Sequence, residues 1–150
     1  MAGKPIDQPG IFEGLDRLTQ SEVCARLGLQ PRTDGTFALQ EETHLLMLLP
    51  LGDILPWQKA DSNLAFQFIA GAAVALSWSP DGHHAEAAHL GETMPHHRAM
   101  QEIDAQVWLT AESLGAWSLI ALKGASAETA FTEAAPDWYP TPLGKTQGEA

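Results

Sequence analysis

The chain has 150 residues, eight of them basic and 19 acidic, so its formal net charge at pH 7 is −11. Hydrophobic residues make up 45% of the chain and charged residues 18%, which is typical of a globular domain and excludes a highly charged disordered segment. Because Lys and Arg form no cluster, we expect neither nucleic acid nor an anionic membrane surface as a partner.

Cys24 is the single cysteine, which excludes an internal disulfide, a zinc ribbon and a CxxC redox motif. No apolar run approaches the roughly 18 residues of a membrane-spanning helix. The N-terminal residues also lack the apolar core of a signal peptide. We therefore expect a cytoplasmic protein with no membrane-spanning segment.

The first 30 residues contain an arm and a short helix. Residues 1–17 are interrupted by Pro and Gly and are predicted to form an N-terminal arm. Thr19 and Glu22 match a capping box, in which a hydroxyl and a carboxylate satisfy the first free amides of a helix. Gly28 suits the left-handed residue that follows the last helical turn. These signals predict a short helix over 19–28.

Short apolar runs dominate the rest of the chain, with Gly, Pro, Asp or Asn between most of them. The predicted strands cover residues 43–49, 65–69, 74–78, 107–109 and 117–122. Residues 80–82, Pro-Asp-Gly, are a strong turn signal. This pattern favours an all-β sandwich or barrel as one domain over residues 18–140. Residues 125–135 receive no assignment, and 141–150 are predicted to be a flexible C-terminal tail.

Several short motifs occur in the order and spacing of a known family. They are Leu27-Gly28-Leu29-Gln30-Pro31, Asp34-Gly35, Gly52-Asp53, Trp57, Asp61-Ser62, Ala70-Gly71, Pro80-Asp81-Gly82 and Val107-Trp108. Over residues 18–138 the chain resembles a small bacterial cupin family of unassigned function, within the sugar-epimerase-like (RmlC-like) cupins. This resemblance implies a double-stranded β-helix, the jelly-roll barrel of cupins, and often a homodimer.

The chain departs from that family at the positions expected to bind a metal. The resemblance implies that two ligand-type histidines are replaced by Gln58 and Gln67, a glutamate by Leu64 and a glutamine by Leu109. A glutamine amide is a weak ligand for a transition metal, and leucine has no donor atom. We therefore expect no metal and no other cofactor at this position.

The altered positions indicate an apolar pocket with amide groups. By the resemblance, Gln67 faces the barrel interior with Gln58, close to Trp57, Phe66 and Trp108. Such a pocket predicts a small uncharged or weakly polar ligand. The leading hypothesis is a metal-free, degenerate cupin that binds a small molecule or serves as an accessory protein without redox chemistry. A filled barrel without a cavity remains the alternative.

Two other functions stay open, and the sequence does not decide whether the protein is an enzyme. A metal-independent epimerase or isomerase on a sugar-like or small polar substrate requires a base, and His44, in phase with Leu46 and Leu48, is the candidate. The expected tyrosine acid is missing from the pocket strands, since the single tyrosine is Tyr139. The other alternative is a structural homodimer without a ligand.

The remaining histidines are His83-His84, His89 and His96-His97. Adjacent side chains on a strand point to opposite faces, so neither pair is a ready chelate. The spacing from His84 to His89 matches no established metal-ligand motif. We interpret them as solvated loop histidines.

Overall fold

The computed structural model describes residues 12–135 and 141–142. In chain order the elements are a 3-10 turn (Leu15–Arg17), α1 (Gln20–Leu27), β1 (Gln30–Pro31), β2 (Phe37–Gln40), β3 (His44–Pro50), β4 (Gln58–Ala60), β5 (Leu64–Gly71), β6 (Val74–Ser79), β7 (His84–Leu90), β8 (Met100–Ile103), β9 (Trp108–Ser113), β10 (Trp117–Lys123), β11 (Phe131–Glu133) and β12 (Thr141–Pro142).

The strands form two six-stranded sheets. Sheet A has the order β1-β2-β3-β10-β5-β8, and sheet B has the order β11-β4-β9-β6-β7-β12. Neighbouring strands are antiparallel, apart from the parallel pair of β7 and β12. The predicted all-β architecture with a short N-terminal helix is confirmed.

The helix α1 begins and ends as its sequence signals predict. The hydroxyl of Thr19 accepts a hydrogen bond from the Glu22 amide (3.3 Å), and the Glu22 carboxylate accepts one from the Thr19 amide (2.9 Å). Gly28 ends the helix in the left-handed region, with φ 74°. Val23 and Leu27 form the buried face of α1. No helix in the described part of the chain is long and apolar enough to cross a bilayer.

The inner cluster is the apolar core between the two sheets, and both sheets contribute to it. Its members alternate along each strand with side chains that point away from it, as the pleat of a strand requires. Six large members are at most 1% exposed: Leu49, Phe66, Leu76, Leu90, Leu109 and Ile120. Burial of one such side chain contributes about 1.5–3 kcal/mol to stability.

The outer cluster lies on the opposite face of sheet A, under α1 and the 3-10 turn, and includes Leu15. Strands β3 and β10 contribute to both clusters. Leu46 and Ala121 belong to the outer cluster, whereas Met47 and Ile120 belong to the inner one. Because β3 and β10 are covered on both faces, their sequences are continuous apolar runs rather than alternating ones.

All five predicted strands are present, with shifted ends, but β7 is not among the sequence predictions. Its sequence, His-Ala-Glu-Ala-Ala-His-Leu, has no apolar alternation. Five pairs of Cα partners with β6 hold β7 in the sheet. The predicted turn at 80–82 joins these two strands, and the Asp81 carboxylate accepts hydrogen bonds from the amides of His84 (2.9 Å) and His83 (2.8 Å). These bonds lower the pKa of the Asp81 carboxyl.

The two ends of the predicted domain are described only in part. Within the predicted arm, the 3-10 turn buries Leu15 in the outer cluster. Within the predicted tail, residues 141 and 142 form β12. Residues 1–11, 136–140 and 143–150 lie outside the described part of the chain. The boundaries at residues 18 and 140 therefore stay predictions.

Replacement of Gly124 tests how closely the turn after β10 packs against Asn63. Gly124 and Gly52 have nearly the same left-handed φ, 90° and 88°, but an added Cβ at Gly124 collides with the Asn63 carbonyl oxygen, whereas one at Gly52 meets nothing within 4 Å. Both alanine variants incur the backbone strain. We expect Gly124→Ala to lower the free energy of unfolding by at least about 2 kcal/mol more than Gly52→Ala, measured by urea denaturation. Equal losses would contradict the close packing.

Candidate functional site

Three of the four positions that the sequence predicts to have lost a metal ligand face the interior of the barrel. Leu64 and Leu109 belong to the inner cluster, and Gln58, buried to 8% exposure, is the Cα partner of Leu109. The Gln58 amide nitrogen donates a hydrogen bond to the Pro56 carbonyl (3.1 Å). A transition-metal site needs about three side chains whose lone pairs converge on the ion. Leu64 and Leu109 have no donor atom, and the Gln58 amide already makes a hydrogen bond, so these residues do not fit such a metal. The absence of a metal at this position stays a prediction.

Gln67 does not face the barrel interior, so this part of the sequence prediction is wrong. Its Cα partner in β10 is Ala121, a member of the outer cluster, and directly paired residues project from the same face of a sheet. The neighbouring Phe66 and Phe68 belong to the inner cluster. Alternation along β5 separates Gln67 from these two side chains, but it does not reveal which face is internal.

His44 does not line the barrel either. It is fully buried, and it alternates in β3 with Leu45 and Met47 of the inner cluster. His44 therefore shares its face with Leu46, in the outer cluster. The predicted phase with Leu46 is confirmed, but that face lies outside the barrel.

The predicted aromatic platforms are not brought together. Phe66 is fully buried in the inner cluster, whereas Trp108 alternates with Leu109 and points away from it. The Lys59 ammonium lies 4.9 Å from the centre of the Trp108 ring, a cation–π contact on the outer face of sheet B. Trp57 is half-buried just before β4. The five predicted ligand-binding residues therefore do not surround one pocket.

The barrel interior is filled by its own side chains. The cavity lined by Gln58, Leu109, neighbouring apolar residues and the charged pair Arg32 and Asp34 has a volume of only about 10 Å³. That volume holds about one water molecule at most. Of the two interpretations left open by the sequence, a pocket and a filled barrel, the described residues fit the filled barrel.

A larger depression, the outer groove, lies outside the barrel, where the 3-10 turn, the β5–β6 turn and the loop after β7 meet. It has a volume of about 350 Å³, and its lining includes Asp16, Gly71, Glu92, His97 and Trp117. The Asp16 carboxylate accepts a hydrogen bond from the Gly71 amide (2.7 Å) and so joins the 3-10 turn to β5. The wider hollow beside residues 80–86, of about 410 Å³, is lined by exposed residues alone.

Gly71 allows the wall of the outer groove to approach Trp117 closely. A Cβ at Gly71 would lie 2.5 Å from the Trp117 carbonyl oxygen and 2.7 Å from its ring, and the φ of Gly71 is 89°. Only glycine fits both restrictions. The Trp117 indole nitrogen donates to the Leu18 carbonyl (3.2 Å), so the ring is fixed with its polar atom satisfied.

Three histidines that the sequence interpretation left as solvated loop residues form a cluster beside the outer groove. One ring nitrogen each from His89, His96 and His97 lies within 4.8 Å of the other two. His89 Nδ1 and His96 Nε2 are 3.4 Å apart, and the rings of His96 and His97 meet edge to face with centroids 4.7 Å apart. The interpretation of these residues as solvated loop histidines missed the cluster, which forms because the loop after β7 folds back onto that strand.

His97 links this cluster to the outer groove. Its Nδ1 accepts hydrogen bonds from the amides of Thr93 and Met94, both at 3.3 Å, so the neutral ring carries its proton on Nε2. Desolvation, together with the nearby rings of His96 and His89, lowers the pKa of His97. These contacts favour the uncharged form of His97.

Gln67→Leu tests the new placement of Gln67. The Gln67 Oε1 atom is buried and has no hydrogen-bond partner among the described residues. A buried, unsatisfied acceptor is destabilising, so its removal leaves the free energy of unfolding unchanged or raises it by about 1 kcal/mol. Chemical denaturation measures the change. Gln58→Leu is the matched control and should be destabilising, because it leaves the Pro56 carbonyl without its donor. A loss above about 1 kcal/mol for Gln67→Leu would contradict this placement.

No protein-family model and no curated protein matches the chain. Among solved structures, protein SO0799 from Shewanella oneidensis superposes with a TM-score of 0.69 at 15% identity, over 79% of this chain and 85% of that one. A hypothetical protein from Leishmania major gives a TM-score of 0.63 at 10% identity, over 70% and 80% of the two chains.

Enzymes of known activity share the same architecture at similarly low identity. Salicylate 1,2-dioxygenase from Pseudoaminobacter salicylatoxidans gives a TM-score of 0.54 at 14% identity, over 82% of this chain and 36% of that one. A Bacillus subtilis oxalate decarboxylase gives a TM-score of 0.54 at 11% identity, over 71% of this chain and 30% of that one. Likeness at such identities extends to the fold and not to the activity. The facing antiparallel sheets and these structural neighbours show that the chain is a cupin-fold protein with a jelly-roll barrel.

Proposed function

We propose that the protein binds a small, uncharged or weakly polar molecule in the outer groove, and that its barrel interior has no metal and no redox role. The observation that carries this proposal is the contrast in volume between the filled interior, about 10 Å³, and the outer groove, about 350 Å³. Small-molecule sites usually occupy depressions of about 300–1,000 Å³.

The lining of the outer groove supports a ligand of mixed polarity. Phe68 and Trp117 contribute apolar and aromatic atoms to its wall, and in the neutral form of His97 the proton is on Nε2. One oxygen of Asp16 is already bound to the Gly71 amide. Each neutral hydrogen bond contributes only about 0.5–1.5 kcal/mol net. Affinity therefore comes mainly from apolar contact with the lining of the groove.

A thermal-shift screen of small molecules tests this proposal, since a specific ligand raises the melting temperature by mass action. Ala116→Trp places a large side chain in the groove from an exposed position, and Gln58→Leu alters the barrel interior instead. We expect at least one compound to stabilise the natural chain and Gln58→Leu but not Ala116→Trp. The reverse pattern would place the ligand in the barrel. No stabilising compound in a broad screen would favour a structural role without a ligand.

The alternative of a metal-independent epimerase or isomerase loses its proposed base. His44 is buried on the outer face of sheet A rather than in the barrel. Tyr139 lies outside the described residues. A general base must reach the proton that it removes, and His44 has no such access to the barrel interior. A binding or accessory role is therefore the better-supported proposal.

We further propose that the protein is a homodimer. Strand β8 lies at one edge of sheet A, pairs only with β5 among the described strands, and carries Met100 at 45% exposure. Unpaired strand edges are commonly covered by a partner. Sedimentation velocity should give twice the 16.1 kDa monomer mass. Met100→Lys should shift the protein toward monomer. Met94→Lys, at a methionine of 53% exposure in the loop after β7, should not. A monomer at high concentration would refute the dimer.

A further inference from the structure

We propose that His89, His96 and His97 form a binding site for a divalent transition-metal cation on the outside of the barrel, beside the outer groove. This site is separate from the barrel positions at which cupins of the resembled family carry their ligands. Three of the six histidines of the chain converge here. The inference does not depend on the ligand proposed for the outer groove.

The distances fit a metal held by imidazoles. Two nitrogens bound to one tetrahedral zinc ion at about 2.0–2.1 Å lie about 3.4 Å from each other. His89 Nδ1 and His96 Nε2 are already 3.4 Å apart. The ring nitrogen of His97 lies within 4.8 Å of both, so a side-chain movement of about 1.5 Å completes a three-nitrogen set. The fourth position would remain open to water or to a ligand.

Backbone contacts hold the three rings near one another before any metal binds. His89 lies on β7, in register with Ala75 of β6. The loop returns to this strand through hydrogen bonds from the Arg98 amide to the His89 carbonyl (2.9 Å) and from the Gly91 amide to the Arg98 carbonyl (3.0 Å). Because β7 and the loop ends are fixed, less side-chain freedom is lost on binding than in a mobile loop.

Metal binding would have to change the present hydrogen bonds of His97. His97 Nδ1 accepts from the amides of Thr93 and Met94, and both bonds are long at 3.3 Å. When a metal binds Nε2, the proton on that nitrogen is lost to solvent. The neutral ring then carries a proton on Nδ1 instead, and this N–H would face the two amides. These amides must therefore move away. Thr93 also lines the outer groove, so metal binding would change the shape of that groove.

Calorimetric titration of tag-free, chelator-treated protein with Zn²⁺ and Ni²⁺ tests the site. We expect one equivalent of metal per chain. His89→Gln, His96→Gln and His97→Gln should each weaken binding by at least about tenfold, because each removes one imidazole ligand. The matched controls are His83→Gln, just before β7, and His84→Gln, at the first residue of β7, which should leave affinity unchanged.

Three results would overturn the proposal: no metal binding by the natural chain, binding that persists when His89 and His96 are both replaced, or equal losses in the cluster and control variants. Thermal melts of every variant show whether the fold is intact. His96 is exposed, so its replacement should not affect folding. If both metals fail to bind, the 3.4 Å contact between His89 and His96 is a hydrogen bond between neutral rings.

Discussion

The pairing of β3 with β10 in the middle of sheet A is the constraint on which the rest of this structure depends. Seven pairs of Cα partners, from Trp117 with Pro50 to Lys123 with His44, set the register. This register places Met47 opposite Ile120 in the inner cluster. The side chains that alternate with them along the two strands lie in the outer cluster. Two apolar cores are thus built on one pair of strands, and the hydrophobic effect stabilises the sheet from both faces.

Burial on both faces of sheet A leaves little space for a ligand inside the molecule. The inner cluster fills the barrel, and α1 with the 3-10 turn covers the outer cluster. Concave surface remains where these covering elements meet the ends of the strands, and the outer groove is such a place. Gly71 and Trp117 form its wall because a side chain at Gly71 would collide with Trp117. The groove is therefore a product of packing around the barrel rather than of the barrel itself.

The histidines of this chain lie at positions other than the metal-ligand positions of the family that it resembles. Gln58, Leu64 and Leu109 provide the barrel interior with one amide and two apolar side chains, whereas His89 and His96 lie outside it. Neutral imidazole is the commonest side-chain ligand for metals and suits zinc and nickel. Any metal chemistry of the described residues is thus expected at the rim of the outer groove, where the side chain of His97 contacts both features.

The sequence by itself determined the features that depend on neighbouring residues: the Thr19–Glu22 capping box, the turn at 80–82 and the apolar strands. It also showed that Gln67 and Phe66 lie on opposite faces of one strand, because side chains alternate with period two. Only the tertiary structure decided which face is internal, through the pairing of Gln67 with Ala121, 54 positions along the chain. The histidine cluster has the same origin. Local propensity cannot encode it, since it depends on how the loop after β7 returns to that strand and on the packing that holds it there.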